Sequence, residues 1–182
     1  EFVPLSDELS YVEAYLTLEQ ARLDERLTVE RSVPPEVGLD HPVPTLILQP
    51  VVENAVIHGI AKRPGGGTVR VAVQKAEGDL VLRVEDDGVG MDEATRARIF
   101  EPFFSTKFTG RGLGMAAVLG IVRGHDGAIL VESEPNQGTT VQVLFPTLEV
   151  LEEDSQVSPD VAESPSSFQG TVLVADDEPM VL

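Results

Sequence analysis

The sequence contains no cysteine and few cations. Without cysteine among its 182 residues, disulfides and cysteine metal sites are excluded, and a reducing cytosol is permitted. Lysine and arginine number 13 against 31 acidic residues, so the formal net charge is −18. A chain this acidic repels nucleic acid and anionic lipid, which argues against a nucleic-acid partner. A phosphate ligand would need backbone dipoles and a cation, such as a divalent metal, to overcome the same field.

Long apolar runs are also absent. No segment approaches the length of a membrane span, and no signal peptide opens the chain. The sequence starts at Glu1 without an initiator methionine and stops at Leu182 inside an apolar run, so we interpret both ends as cuts. Hydrophobic residues make up 42% of the chain, which is enough for a globular core, although only 5% of the residues are aromatic.

Apolar residues three and four positions apart predict helices. The first covers residues 6–27, and we expect it to lie apart from the main domain as the remnant of a dimerisation hairpin. The second covers residues 44–59, although Pro50 in its middle would remove a hydrogen bond and kink it. Further helical patterns cover 92–99 and 113–123.

Alternating apolar and polar residues predict strands. Two hairpins of such strands are predicted, and the glycine-rich stretch 87–112 lies in the region between them. It is predicted to be a long loop, which in a compact domain is usually functional. Residues 147–169 are acidic and rich in serine and proline, so they are predicted to be a linker. The predicted strands are 27–33, the hairpin of 68–74 with 80–86, the hairpin of 128–133 with 139–145, and a new buried strand at 171–175.

Four separated features point to a nucleotide site, and each has a plainer alternative. The first is Glu53-Asn54, where Asn54 is either a helix-surface amide or an oxygen ligand for a hard cation such as Mg²⁺. The second, Asp86 to Gly90, follows a strand. It is either a simple turn or a place where the backbone approaches a flat ligand, with Asp86 accepting a hydrogen bond from an exocyclic amine.

The other two features lie in the long loop. Gly110–Gly114 leads into a helix, whose free N–H groups and dipole favour phosphate, with a flexible hinge as the alternative. The segment Phe100–Phe104 holds three aromatic residues, which either anchor a lid or a partner, or form a small satellite core. Lys107 beyond them either neutralises phosphate or is merely solvated.

In order and spacing, these motifs resemble those of the GHKL ATPase superfamily and, within it, the histidine kinases. Four ordered motifs are far more specific than any single one, and the resemblance spans residues 40–146. The positions that match the four motifs are Asn54 for the N box, Asp86, Gly88 and Gly90 for the G1 box, Phe100–Phe104 for the F box, and Gly110, Gly112 and Gly114 for the G2 box. In addition, Gly138-Thr139-Thr140 resembles the last glycine box.

The resemblance implies ATP and Mg²⁺ as cofactors. It also implies a Bergerat-type α/β two-layer sandwich, with a mixed, mostly antiparallel sheet covered by helices on one face. Asn54 would hold Mg²⁺ between the phosphates, Asp86 would read the adenine amine, and residues 88–112 would form the ATP lid. The γ-phosphoryl group would pass to a histidine through positioning and metal electrostatics. The implied nucleotide contacts are Asn54, His58, Asp86, Gly88, Gly90, Lys107, Gly110, Arg111, Gly112, Leu113, Gly114 and Thr140.

Both ends of the chain carry resemblances of their own. Residues 1–30 and Leu48–Ala55 are similar to the LytS-type branch of histidine kinases, and Thr171–Glu178 resembles the first strand of a response-regulator receiver. The implied domains are the end of a dimerisation and phosphoacceptor region (1–30), the ATP-binding catalytic domain (31–147), an acidic linker (148–169) and a truncated receiver (170–182) with Asp176 and Asp177 as an incomplete Mg²⁺ site.

Some positions depart from the family pattern. Pro50 stands where water-hydrolysing relatives carry a catalytic glutamate, which argues against a gyrase-like or chaperone-like ATPase. Glu53 is the nearest candidate acid for polarising an acceptor histidine, with a structural helix role as the alternative. Ile57 stands where the N box of the family frequently has a lysine. The role of that lysine then falls to one of His58, Lys62, Lys107 and Arg111.

The histidines are also unusual. His41, His58 and His125 are the only ones, and none lies on the first helix, where a phosphoacceptor would sit. His125 is predicted to cap the end of a helix. The fragment is therefore expected to bind ATP without phosphorylating itself, with the acceptor helix upstream of Glu1.

The resemblance thus predicts the ATP-binding catalytic domain of a two-component sensor histidine kinase. Two alternatives stay open, namely a GHKL ATPase without phosphotransfer and a degenerate scaffold that senses ATP without catalysis. The implied partners are the phosphoacceptor helix, a receiver domain or response regulator, and a second copy in a full-length homodimer. The implied location is the cytoplasm, either as a free protein or as the cytoplasmic part of a membrane-bound sensor.

Overall fold

A five-stranded mixed sheet dominates the computed structural model, which describes residues 1–76, 78–104 and 112–146. The strands are β1 (Phe2–Pro4), β2 (Leu27–Ser32), β3 (Pro42–Pro44), β4 (Gly67–Ala76), β5 (Asp79–Asp86), β6 (Ala128–Glu134) and β7 (Gly138–Pro146), and the helices are α1 (Leu5–Leu23), α2 (Gln49–Asn54), α3 (Glu93–Arg98) and α4 (Gly114–Gly124). The sheet order is β2-β4-β5-β7-β6, and only β2 and β4 run parallel. Among the described helices, none is long and apolar enough to cross a membrane.

One face of this sheet is apolar and carries helices. Val69, Val71 and Val73 alternate along β4 and are almost fully buried, while α4 packs on β6 and β7. On the opposite face, Arg70 forms ion pairs with Glu30 at 2.6 Å and with Glu85 at 3.2 Å. The expected α/β sandwich, with helices on one face of a mixed, mostly antiparallel sheet, is therefore confirmed, as are both predicted hairpins.

Helix α2 begins later than its apolar pattern predicts. Pro42–Pro44 pairs antiparallel with Phe2–Pro4, which takes Pro44 out of the predicted helix. Leu46 then turns the chain with a left-handed φ of 60°. Pro50 consequently lies in the first helical turn, where the missing N–H group has no helical acceptor to lose. The expected mid-helix kink at Pro50 is therefore wrong.

Helix α1 packs on the domain, so the expectation that it lies apart is wrong. Leu5, Val12 and Leu16 on its inner side belong to the same buried core as the sheet valines. Tyr11 and Leu18 on the outer side are 63% and 71% exposed. The sequence pattern merged two stripes of apolar residues, of which one faces the core and the other faces outward. The assignment of residues 1–30 to a dimerisation region stays a prediction.

Glu8 fastens α1 to the segment that precedes α2. Its carboxylate is 2% exposed and accepts the backbone N–H groups of Leu46 at 2.7 Å, Ile47 at 3.1 Å and Leu48 at 3.1 Å. Leu48 is the N-cap of α2, and Leu46 and Ile47 lie in the turn before it, so no helical acceptor reaches these N–H groups. The buried carboxylate oxygens and these N–H groups therefore satisfy each other.

Replacing Glu8 with Gln is expected to lower the free energy of unfolding by about 2 kcal/mol, because an amide brings a superfluous donor and one acceptor oxygen instead of two. Urea unfolding measures the change. Glu13→Gln is the matched control, since Glu13 is 57% exposed and pairs at the surface with Arg31 at 2.8 Å. The control should change stability much less than Glu8→Gln does, because solvent screens its ion pair. Equal losses in the two variants would contradict the anchoring role of Glu8.

Candidate functional site

The candidate site is a cavity of about 560 Å³ between the sheet and α2. Residues 89–92, the start of α4 and a π-helical continuation of α2, Ala55–Ile60, complete its walls. Its apolar lining includes Val84, Met91, Ile99, Met115 and Val141, and its polar lining includes Glu53, Asn54, His58, Lys62, Asp86, Asp92, Thr95 and Thr139. Such a cavity suits a ligand with a flat apolar body and polar edges.

Asp86 is the buried acid of the cavity. It ends β5, is 5% exposed, and accepts the N–H of Gly88 on Oδ1 at 2.9 Å. Burial raises the pKa of Asp86 to about 7; the N–H of Gly88 opposes this shift, and the neighbouring charges of Asp87 and Glu85 reinforce it. Above neutral pH the cavity therefore contains a charged acceptor that is poorly hydrated.

Two glycines make room for this carboxyl group. A Cβ atom on Gly59 would lie 2.3 Å from Oδ1 of Asp86, and one on Gly88 would lie 2.3 Å from the carbonyl carbon of Gly59. The π-helical turn presents Gly59 to the loop, and the Gly59 carbonyl accepts the N–H of Val89 at 3.4 Å. Sequence reasoning took Gly59 only as a helix end, because the strand beside it is distant in sequence.

The loop after β5 is fastened to the β6–β7 hairpin. The carbonyl of Val89 accepts the N–H of Asn136 at 2.7 Å, and the N–H of Met91 donates to Oγ of Ser133 at 2.9 Å. Gly90 between them has a φ of 61°, and a Cβ atom there would lie 2.0 Å from the carbonyl oxygen of Glu134. This part of the Asp-x-Gly-x-Gly motif is therefore a docked segment rather than a simple turn.

The polar side of α2 and its continuation faces the same cavity. Glu53, Asn54, His58 and Lys62 all line it, and Oε1 of Glu53 accepts a hydrogen bond from Nε2 of Gln49 at 2.8 Å. Glu53 thus supports the helix and also faces the cavity. Within the described ranges, no three His, Cys, Asp or Glu side chains form a metal cage. Asn54 could supply its amide oxygen to a Mg²⁺ ion together with ligand phosphates and water, a ligand set that suits this cation.

The other wall is the N-terminal end of α4. Gly112, Leu113 and Gly114 line the cavity there. Gly112 has a φ of 62°, and a Cβ atom on it would lie 2.4 Å from the carbonyl oxygen of Phe104. The first-turn N–H groups of α4 lack helical acceptors and suit an anion. The remaining predicted contacts in this loop, Lys107, Gly110 and Arg111, lie outside the described residues.

The aromatic residues before this wall have different surroundings. Phe100 packs against the core, whereas Phe104 lines the cavity under the guanidinium of Arg98, 4.3 Å from the ring centre. Phe103 is 78% exposed and has a φ of 65°. Phe100 therefore joins the core and Phe104 forms part of the cavity wall, while the anchoring of a lid or a partner stays a prediction.

Thr140 does not line the cavity, which corrects its prediction as a nucleotide contact. Successive side chains of β7 alternate between faces, so Thr139 and Val141 line the cavity while Thr140 pairs with Glu85 and Glu132 on the other face. Thr139 was missed because the sequence does not indicate which of two adjacent threonines turns toward the helices.

The histidines have separate positions. His58 lies in the π-helical turn and lines the cavity. His125 caps α4 as predicted, with its Nδ1 at 2.7 Å from the carbonyl oxygen of Ile121. Asp176 and Asp177, predicted as part of a receiver metal site, lie outside the described residues.

Known proteins share this domain. The family model described as "Histidine kinase-, DNA gyrase B-, and HSP90-like ATPase" matches residues 40–149. Sporulation kinase C of Bacillus subtilis is 38% identical over 99 residues, which are 54% of this chain and 23% of that protein. Sensor protein LytS of Bacillus anthracis is 33% identical over 150 residues, which are 79% of this chain and 25% of that protein. The chain thus spans about a quarter of these relatives.

Solved structures agree on the fold. The nucleotide-free catalytic domain of histidine kinase ThkA superimposes with a TM-score of 0.62 and 22% identity, over 81% of this chain and 95% of that one. At this level of identity, the likeness supports the architecture alone.

Proposed function

Because this chain belongs to the family of histidine kinase-, DNA gyrase B- and HSP90-like ATPases, we propose that its cavity binds ATP with Mg²⁺ and presents the γ-phosphoryl group to a histidine. The domain is homologous to the ATP-binding catalytic domains of sensor histidine kinases. The observation that carries the proposal is the buried Asp86 acceptor, which faces the same cavity as Asn54 and the start of α4.

The base would lie at the Asp86 end of the cavity. Asp86 would accept a hydrogen bond from the adenine amine, and Val84, Met115 and Val141 would pack against the ring. Because Gly59 has no side chain, the carboxyl group stays open to the ligand. Burial strengthens such a bond, since little water competes for the acceptor.

The phosphates would lie between α2 and α4. Asn54 would bind Mg²⁺ through its amide oxygen, and the first turn of α4 would donate N–H groups to phosphate oxygens. Lys62 lines the same cavity and would add positive charge, and His58 lines it as well. When bound, the metal would supply polarisation of the transferred phosphoryl group. Asn54 would hold the metal, and the first turn of α4 would position the phosphoryl group for attack. Such a metal would also offset the repulsion expected from a chain with a formal net charge of −18.

The acceptor histidine would lie outside these residues. His58 lines the proposed nucleotide cavity, His125 caps α4 and His41 lies in the loop before β3, so none of the three lies on a separate acceptor helix. Pro50 lies one helical turn before Asn54 and has no group to activate water, which favours transfer over hydrolysis. Glu53 would polarise the incoming histidine. The proposed partners are an acceptor helix upstream, a second copy of the full-length protein, and a receiver aspartate.

The longer protein that includes an upstream acceptor segment is expected to form an acid-labile phosphoprotein with γ-labelled ATP and Mg²⁺. Asn54→Ala should abolish the labelling and weaken Mg²⁺·ATP binding about tenfold, because a metal ligand is lost. The same variant should bind metal-free adenosine within about twofold of the parent, since the base end is untouched. Autoradiography and calorimetry measure these effects.

The matched control is Gln20→Ala, which removes an exposed amide from α1 and should change neither result. Steady hydrolysis without a phosphoprotein would favour an ATPase without phosphotransfer. Binding without either reaction would favour an ATP-sensing scaffold. If Asn54→Ala bound Mg²⁺·ATP as well as the parent does, the metal role of Asn54 would be wrong.

A further inference from the structure

Ser133 on β6 is the centre of a small hydrogen-bond network behind the cavity. Its Oγ lies 2.9 Å from the carbonyl oxygen of Gly138, 2.9 Å from the nitrogen of Met91 and 3.1 Å from Oγ1 of Thr139. Met91 and Thr139 line the cavity. Because Ser133 and Thr139 stand opposite each other in the β6–β7 ladder, the sheet register fixes their contact.

The number of protons in this network fixes the direction of each bond. A hydroxyl group has one proton to donate and two lone pairs to accept with. The N–H of Met91 only donates and the carbonyl of Gly138 only accepts, so Ser133 accepts from the first and donates to the second. The remaining contact then requires Thr139 to donate to Ser133. The single hydroxyl proton of Thr139 is therefore directed away from the cavity.

We propose that Ser133 is a positioning residue for base specificity, which makes the Thr139 hydroxyl an acceptor only toward the bound base. This inference rests on the proposed function. Asp86 stands opposite Thr139 in the β5–β7 ladder, and its carboxylate is a second acceptor in the same cavity. At pH 8, where Asp86 is ionised, these two residues accept from the ligand and do not donate to it. The edge of the base must supply the donors, either directly or through water, and the amine of adenine has two N–H groups.

Hypoxanthine provides a sharp comparison, because it has a carbonyl where adenine has the amine. Its ring N–H group could still donate to Asp86, but its carbonyl oxygen would then meet the lone pairs of Thr139. Two facing acceptors without a proton between them disfavour binding by about tenfold or more. If Thr139 were free to turn its proton toward the cavity, the same carbonyl would be accepted.

The experiment compares the affinities of Mg²⁺·ATP and Mg²⁺·ITP for the chain by calorimetry at pH 8. The parent should bind ATP at least about tenfold more tightly than ITP. Ser133→Ala releases the Thr139 proton, so the ratio of the two dissociation constants should fall by about tenfold. Thr139→Val should narrow the ratio too, and Ser133→Ala should have no further effect in that background. The matched control, Thr140→Val, alters the neighbouring hydroxyl on the other face and should leave the ratio unchanged.

If Ser133→Ala weakened the binding of both nucleotides equally, Ser133 would only support the Met91 segment, and the proposal would be overturned. The proposal would also be overturned if Ser133→Ala changed neither affinity. Should Ser133→Ala fail to fold, Thr139→Val tests the same hydroxyl group. If Thr139→Val left the ratio of the ATP and ITP dissociation constants unchanged, the proposal would be overturned too. If the parent failed to bind ATP at all, the proposed function itself would be refuted. ATP binding with an unaltered ratio refutes only the role of Ser133.

Discussion

Asp86→Asn is expected to weaken ATP binding about 100-fold at pH 8 while the ligand-free domain becomes more stable. The carboxylate accepts the N–H of Gly88 and still has lone pairs for a ligand amine. An asparagine amide would satisfy Gly88 with its oxygen and then present an NH₂ group to the ligand. Two facing donors, together with the loss of a charge-assisted bond, account for about 3 kcal/mol of binding free energy.

The stability change has the opposite sign because the charge is buried. The pKa of Asp86 is about 7 in the folded chain against an ordinary value of 3.8. Below about pH 4 the group is protonated in both states and adds no dependence on pH. As the pH rises from about 4 to 7, the unfolded chain ionises first, and the folded state loses up to about 4 kcal/mol relative to it. Asparagine removes this cost, so the variant should gain about 2 kcal/mol at pH 8 and lose that advantage toward pH 4.

Calorimetry with ATP and urea unfolding at pH 5 and pH 8 measure the two effects. In the parent, adenosine affinity should fall about tenfold from pH 8 to pH 6 as Asp86 takes up a proton, and the variant should lack this dependence. Asp92→Asn is the matched control, because it makes the same chemical change within the cavity lining at an N-cap where asparagine is accepted equally well. A variant at Asp86 that lost stability at pH 8 would show that the charged form is favoured by the fold, contrary to this account.

Local patterns predicted the strands well, because the alternation of side chains along a strand can be recognised in the sequence without knowledge of distant contacts. The hairpin of β4 with β5 and that of β6 with β7 were both expected from period-two spacing and from turn residues between them. The choice between Thr139 and Thr140 was not predictable in this way. Alternation fixes that they face opposite sides, whereas the covering helices decide which side is the cavity.

Long-range contacts account for the other differences. Glu8 resembles any acidic residue in the first turn of a helix, and only the approach of residues 46–48 makes it a buried anchor. Pro50 resembles a helix breaker until the pairing of Pro42–Pro44 with Phe2–Pro4 shortens α2. In each case the deciding partner lies about 40 residues away in sequence, where periodicity carries no information. The sequence motifs predicted that their glycines belong to the site. They did not predict that Gly88 must be glycine because the backbone of Gly59 lies against it.

Gly88→Ala is expected to lower the free energy of unfolding by about 4 kcal/mol. The added Cβ would lie 2.3 Å from the carbonyl carbon of Gly59 and 2.4 Å from its Cα, so it would meet backbone that no rotamer change can move. Relief would require the π-helical turn to separate from the loop after β5, which would also open the site around Asp86. Gly59→Ala differs, since its Cβ would meet the carboxyl end of the Asp86 side chain. It should therefore reduce nucleotide affinity more than stability.

The matched control for this prediction is Gly120→Ala in α4, where an added Cβ would meet nothing within 4 Å. Alanine there should raise stability by about 0.5–1 kcal/mol, because it favours the helix over the unfolded chain. Urea unfolding of the two variants should therefore give shifts of opposite sign. If Gly88→Ala were as well tolerated as Gly120→Ala, the glycine would serve only loop flexibility. A large loss of stability in Gly88→Ala alone would instead show that position 88 requires glycine because two backbone segments touch there. This contact holds the π-helical turn against the loop after β5 and keeps the Asp86 side chain directed into the cavity.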